Sequence, residues 1–171
     1  MAISELDLPT GVVVHSSANP QRQAELMADN VAKALAYAVQ THGIASLVVS
    51  GGRSPIAFFE ALSIRELNWS KVQISLADER WVPATNPASN EGLVRRHLLQ
   101  NAAREAWLIG LYHPAESLEQ AASLADHALA QLQRPVDVLI LGMGDDGHTA
   151  SLFPGNPKLA HALRDDCLER C

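Results

Sequence analysis

Short apolar runs alternate along the chain with longer stretches in which apolar residues recur at helical spacing. The run IASLVVS at 44–50 is apolar almost throughout, which is typical of a strand that is buried on both faces. β-branched and apolar runs of this kind predict strands at 11–17, 44–50, 72–77, 107–112 and 136–142.

Helix signals separate these runs. Asn19 is a typical N-cap, Pro20 is a typical first helical residue, and Gly43 is a natural stop for the amphipathic stretch between them. Further helices are predicted to begin after Ser54, after the candidate cap Ser89, and over the amphipathic stretch 117–133.

Because strands and helices alternate throughout, the pattern predicts a single α/β domain over residues 1–171. We expect a mostly parallel sheet flanked by helices on both faces, a Rossmann-like three-layer architecture. In such sheets ligands bind beyond the carboxyl ends of the strands. Three polar loops leave those ends and are expected to form one site: SGGRSP at 50–55, ADERWVP at 77–83 and GMGDDGHTAS at 142–151.

Composition narrows the possible partners. The net charge of -6 offers no general attraction for nucleic acid or an anionic membrane. No apolar run approaches the roughly 20 residues that span a bilayer, and the N-terminal MAISELDLPTG does not resemble a signal peptide. We therefore expect a cytoplasmic protein with no nucleic-acid or membrane partner. Its oligomeric state is not indicated.

The chain has two cysteines, Cys167 and Cys171, both within its last five residues. A disulfide there would close only a very short loop, so we expect both thiols to be reduced and incidental. The histidines outside the third loop have no metal-ligand spacing, so no metal site is predicted.

In the third loop, Gly142, Gly144 and Gly147 match the G-x-G-x-x-G pattern of dinucleotide-binding turns. That interpretation requires a second strand that ends in an acidic residue about 20 residues further on. No apolar strand precedes Asp165 and Asp166, so a dinucleotide site is disfavoured. A tight turn with no chemical role is the other simple interpretation.

The residues between and after these glycines favour acid–base chemistry. Asp146 and His148 flank Gly147, and a carboxylate beside an imidazole can hold its tautomer and stabilise its charged form. His148 is therefore a candidate general base. Thr149 and the peptide N–H groups after Gly147 can present donors to an anion, and Gly144 is a further candidate substrate contact.

The first loop places Gly51, Gly52 and Arg53 before a predicted helix, an arrangement that can hold a phosphate. It lacks the lysine of a nucleotide P-loop, and an ordinary strand-to-helix turn is the alternative. Ser54 is better explained as a helix cap than as a nucleophile, because no G-x-S-x-G motif is present.

In the second loop, Arg80 can bind a phosphate and Asp78 can hold sugar hydroxyls or position another side chain. The alternative is an Asp–Arg pair that only stiffens the loop. Trp81 is expected to pack the loop against the body of the domain. Asn90 is either an early helix residue or a partner of this loop.

In this order and spacing, SGGRSP, ADERWVP…SNEG and LGMGDDGHTASLFPG resemble 6-phosphogluconolactonase. The third motif is the most specific, and the resemblance extends from about residue 10 to the end of the chain. It implies hydrolysis of 6-phospho-D-glucono-1,5-lactone to 6-phosphogluconate, in the oxidative pentose phosphate pathway, without a cofactor. It also implies further strands, helices and a basic K-P-x-x-R segment after residue 171, so we expect this chain to lack a C-terminal part.

Carried over by position, the resemblance implies that His148 is the general base and Asp146 its orienting carboxylate. It also implies that the substrate is held by a first loop and a phosphate-binding arginine, at Gly51, Gly52, Arg53, Ser54 and Arg80.

Two other functions stay open. The first is glucosamine-6-phosphate isomerase/deaminase, which has a similar DGH loop. A resemblance to that family would imply I-A-F-N-E-P after the histidine and D-E-Y in the second loop, whereas this chain has TASLFPG and DERW. The other is a sugar-phosphate-binding module without catalysis.

Overall fold

A computed structural model describes residues 9–167 of the chain. Within this range the sheet has four parallel strands in the order β3-β2-β1-β4, which confirms the predicted α/β fold and parallel sheet. The strands are β1 (Ala45–Val49), β2 (Val72–Leu76), β3 (Trp107–Ile109) and β4 (Val138–Ile140). The helices are α1 (Pro20–His42), α2 (Ile56–Ser63), α3 (Asn90–His97), α4 (Leu118–Leu129) and α5 (Leu159–Ala162).

The predicted boundaries of α1 are confirmed. The Asn19 side chain accepts hydrogen bonds from the backbone N–H groups of Gln21 and Arg22, at 3.0 and 3.2 Å. At the other end Gly43 has φ 80°, and its N–H binds the carbonyl of Val39. Local capping chemistry therefore determines where this helix starts and ends.

Helices cover both faces of the sheet, as predicted. Leu47, Val49 and Ile74 are fully buried on one face, in a core shared with α1, α2 and α3. Val48 points to the opposite face, where it packs with Leu129 near the end of α4. Successive side chains of β1 point to opposite faces and both faces are buried, which explains why all of its residues except Ser46 are apolar.

Several predicted elements differ from the structure, and β3 and β4 are three and four residues shorter than the strands predicted at 107–112 and 136–142. Residues 11–17 form no strand, and Val12, Val13 and Val14 are 52%, 72% and 45% exposed. β-branched residues favour a strand only where a neighbouring strand supplies hydrogen bonds, and no described strand pairs with this segment.

The helix predicted over 117–133 ends earlier, at Leu129. Buried Gln73 on β2 donates to the carbonyl of Gln131 at 2.9 Å and accepts from the N–H of Gln133 at 2.7 Å. The second bond uses the N–H of Gln133, which in a longer helix would donate to the carbonyl of Leu129.

A buried polar contact fixes β4 against β1. The Asp137 carboxylate accepts from the N–H and the hydroxyl of Ser46, at 2.8 and 3.0 Å. The N–H of Asp137 donates back to the Ser46 hydroxyl at 3.0 Å. This contact sets the position of β4, and hence of the third loop that follows it.

Within the described residues, no helix has the length and apolar character needed to cross a bilayer. Cys171 and both ends of the predicted single domain lie outside residues 9–167, so the cysteine and domain predictions stay predictions.

Candidate active site

The three polar loops meet around a cavity of about 590 Å³ at the carboxyl edge of the sheet. They meet because β1 lies between β2 and β4 and all three strands are parallel. The first turns of α1 form another wall, which the sequence did not suggest. Of the predicted site residues, those that line the cavity are Gly51, Gly52, Ser54, Asp78, Arg80, Gly144 and His148.

The other predicted site residues lie outside this lining. Arg53 is exposed. Gly147 has φ +83° and forms the turn between Asp146 and His148. The hydroxyl of Thr149 donates to the carbonyl of Gly142 at 2.9 Å, so it closes the third loop on itself.

Asp146 contacts His148 twice. Its Oδ1 lies 2.5 Å from Nδ1 of the imidazole and accepts the backbone N–H of His148 at 3.1 Å. The hydrogen bond from the His148 ring lowers the pKa of Asp146, with a smaller contribution from the backbone N–H. A charged carboxylate at Nδ1 favours the tautomer with the proton on Nδ1, which leaves the lone pair on Nε2. The pair therefore has the arrangement that a histidine base requires.

An aromatic ring that the sequence did not single out lies against this histidine. Phe153 stacks on His148 with ring centroids 4.5 Å apart and planes 28° apart. The backbone of Gly144 also lies against the ring, because a Cβ at this position would lie 2.2 Å from Cε1 of His148. The imidazole is thus packed as well as hydrogen-bonded.

Glu79 anchors the second loop, and it was also missed. One carboxylate oxygen accepts the N–H groups of Arg80 and Asn90, at 2.7 and 2.8 Å. The other accepts the Ser89 hydroxyl and the N–H of Glu91, at 3.0 and 2.8 Å. The negative charge therefore lies at the N-terminus of α3, where free N–H groups favour it. The Ser89 hydroxyl also accepts from the N–H of Gly92, which confirms the predicted cap.

With the loop anchored, Asp78 and Arg80 both line the cavity. Arg80 Nη1 donates to the carbonyl of Ala88 at 2.8 Å, and Asn90 Nδ2 donates to the carbonyl of Asp78 at 2.9 Å. Asn90 is thus both the first residue of α3 and a partner of the loop. Burial raises the pKa of Asp78, although the charge of Arg80 opposes this shift.

The first loop lies directly against the second. A Cβ on Gly51 would lie within 1.8 Å of the Asn90 side chain, so this close approach requires glycine. The prediction that Ser54 caps the next helix was wrong. Pro55 is the N-cap, because α2 begins one residue later than a Ser54 cap would require, and proline has no polar side-chain atom for a capping hydrogen bond. Ser54 instead lines the cavity, as does Ser50.

Comparison with known proteins assigns the sequence to a family. The family model for glucosamine-6-phosphate isomerases/6-phosphogluconolactonase matches residues 18–168. The chain belongs to this family.

Within the family, its relatives include the 6-phosphogluconolactonases of Pseudomonas aeruginosa and Pseudomonas putida. They are 57% and 52% identical over all of this chain, which spans 72% and 70% of their lengths. The crystal structure of a 6-phosphogluconolactonase from Shewanella baltica OS155 superposes with a TM-score of 0.88 and 45% identity, over 92% of this chain and 67% of that one. The resemblance inferred from the three motifs is confirmed, and so is the Rossmann-like fold.

Proposed function

We propose that this chain hydrolyses 6-phospho-D-glucono-1,5-lactone to 6-phospho-D-gluconate, with His148 as the general base. The observation that carries the chemistry is the Asp146–His148 pair on a loop at the edge of a 590 Å³ cavity. The match to 6-phosphogluconolactonases over all of this chain, at 57% and 52% identity, supports the substrate. The reaction is the hydrolysis of a carboxylic ester in the pentose phosphate pathway.

In the proposed reaction, Nε2 of His148 takes a proton from a water molecule as its oxygen attacks the lactone carbonyl carbon. The Asp146 carboxylate stabilises the resulting imidazolium. When the tetrahedral intermediate collapses, the bond between the carbonyl carbon and the ring oxygen breaks, and the imidazolium returns the proton to that oxygen. The new carboxylic acid then loses its proton to solvent. A lactone is an activated ester, so no covalent nucleophile is required.

Binding of the substrate's phosphate would orient the lactone in the cavity. Arg80 is a cation in the cavity lining. Apart from the Nη1 contact to Ala88, its guanidinium donors have no partner among residues 9–167, so they can make a bidentate contact. Gly51 and Gly52 lie in the same lining, before the N-terminus of α2. Binding at this end would hold the carbonyl near His148, and such positioning is a large part of catalysis.

The deaminase alternative is less well supported. The six residues after His148, TASLFP, include no carboxylate, whereas the deaminase resemblance implies a glutamate in this segment. Release of ammonia from glucosamine 6-phosphate would favour the deaminase. Binding of 6-phosphogluconate without hydrolysis of the lactone would favour a binding module. A cytoplasmic location and the absence of nucleic-acid partners stay predictions from composition.

The test is hydrolysis of freshly prepared 6-phosphogluconolactone, corrected for its spontaneous opening. His148→Ala and His148→Gln are expected to lose activity while their thermal unfolding stays close to that of the wild type. His127→Ala, on the exposed face of α4, is the matched control and should retain activity. Turnover similar to wild type in both His148 variants would exclude this mechanism.

A further inference from the structure

We propose that Phe153 is a positioning residue for His148, whose stacked ring holds the imidazole in the orientation that the reaction needs. This inference deepens the proposed function and rests on it. The ring centroids are 4.5 Å apart with planes 28° apart, a stacked geometry rather than a passing contact. Phe153 remains 44% exposed, so burial in the core does not account for the position of its ring.

The chain after His148 forms a turn that brings Phe153 back to the histidine ring. Thr149 and Leu152 form an isolated antiparallel bridge, and the N–H of Leu152 donates to the carbonyl of Thr149 at 2.9 Å. Ala150, inside this turn, has φ +49°, a conformation that alanine rarely adopts. Such a conformation persists only where the surrounding structure imposes it. The Thr149 hydroxyl, bound to the carbonyl of Gly142, ties this turn to the end of β4.

Three contacts then leave one reactive nitrogen. Asp146 occupies Nδ1, the backbone of Gly144 lies against the Cε1–Nδ1 edge, and Phe153 covers a face of the ring. Nε2 has no hydrogen-bond partner among residues 9–167. A hydrogen bond to Nδ1 alone allows the imidazole to tilt, whereas the stacked ring restricts its plane. The π face of Phe153 also favours the imidazolium that forms during the reaction.

The experiment compares Phe153→Leu with Phe153→Tyr, because leucine keeps most of the apolar cover and tyrosine also keeps the aromatic face. Phe153→Leu is expected to lower kcat by about 3- to 10-fold with little change in KM. Phe153→Tyr should restore kcat.

A readout without substrate separates this inference from the proposed function. In the free protein, the ¹³Cε1–¹Hε1 NMR order parameter of His148, whose signal is assigned by its loss in His148→Gln, should be lower in Phe153→Leu than in the wild type and restored in Phe153→Tyr. If the wild type lacks lactonase activity but this difference is present, the function is wrong and the positioning is right. An unchanged order parameter, or wild-type kcat in folded Phe153→Leu, would overturn the positioning role.

Discussion

The imidazole Nδ1 of His148 lies 2.5 Å from Oδ1 of Asp146, and the same oxygen accepts the backbone N–H of His148 at 3.1 Å. One carboxylate oxygen thus fixes both the main chain and the ring of the histidine. The glycine between them makes this possible, since its φ of +83° turns the chain sharply enough for the two side chains to meet.

Replacing Asp146 should therefore damage catalysis more than binding. Asp146→Asn keeps the size of the side chain but removes the charge that selects the tautomer, so we expect kcat to fall by about 10²- to 10⁴-fold with little change in KM. Steady-state kinetics on the lactone measure this. Asp145→Asn, on the exposed neighbour, is the matched control, and equal losses in both variants would contradict a specific role for Asp146.

The Asp78→Asn variant should be more stable than the wild type at neutral pH. Burial raises the pKa of this carboxyl above 3.8, so the folded state resists its ionisation. As pH rises from about 3.8 through the raised native pKa, the wild type loses stability that Asp78→Asn keeps.

Because Asp78 is partly solvated, we expect the gain in Tm to be small, up to about 2 °C at pH 7, and to vanish at pH 3. Thermal unfolding at a series of pH values measures it. A gain that is the same at pH 3 and pH 7 would show that ionisation is not the cause. Activity should fall in this variant, since Asp78 lines the cavity.

Replacing Arg80 should change KM much more than replacing Arg53, although both residues were predicted to contact the substrate. Arg80 lines the cavity and Arg53 does not. Loss of charge-assisted contacts in Arg80→Gln should raise KM by about 10- to 100-fold. Arg53→Gln should change KM by less than about 3-fold. The KM for the lactone and inhibition by inorganic phosphate provide the comparison, and a reversed order would move the phosphate site to the first loop.

Glu79 should matter for both stability and binding, although it points into α3 rather than into the cavity. Glu79→Ala leaves the hydroxyl of Ser89 and three backbone N–H groups without their acceptor. We expect a loss of about 1–3 kcal/mol, which corresponds to a Tm lower by roughly 3–10 °C. KM should rise as well, because the loop that carries Arg80 loses its anchor.

The control for this variant is Glu66→Ala, at an exposed position, which should leave Tm and KM unchanged. If Glu79→Ala has the Tm of the wild type, the anchoring role of its carboxylate is wrong. A lower Tm with an unchanged KM would show that the carboxylate stabilises α3 without positioning the loop.

Local signals predicted much of this structure. Asn19, Gly43 and Ser89 act on neighbouring backbone groups, so the helix ends that they set are readable from a few residues. Two of the errors depend on groups that are distant in the sequence. Residues 11–17 have strand propensity but no strand partner among residues 9–167, and Gln73 on β2 accepts the N–H of Gln133 that would have extended α4.

The sequence by itself determined the alternation of strands and helices, the three loops at one sheet edge and the Asp146–Gly147–His148 unit, because each depends on short-range pattern or on spacing along the chain. Only the tertiary structure decided which members of those loops face the cavity. Glu79 and Phe153 act on groups brought near by anchored loops and a turn, and Arg53 is exposed and does not line the cavity. Contacts of this kind depend on how separate segments pack, which residue spacing does not encode.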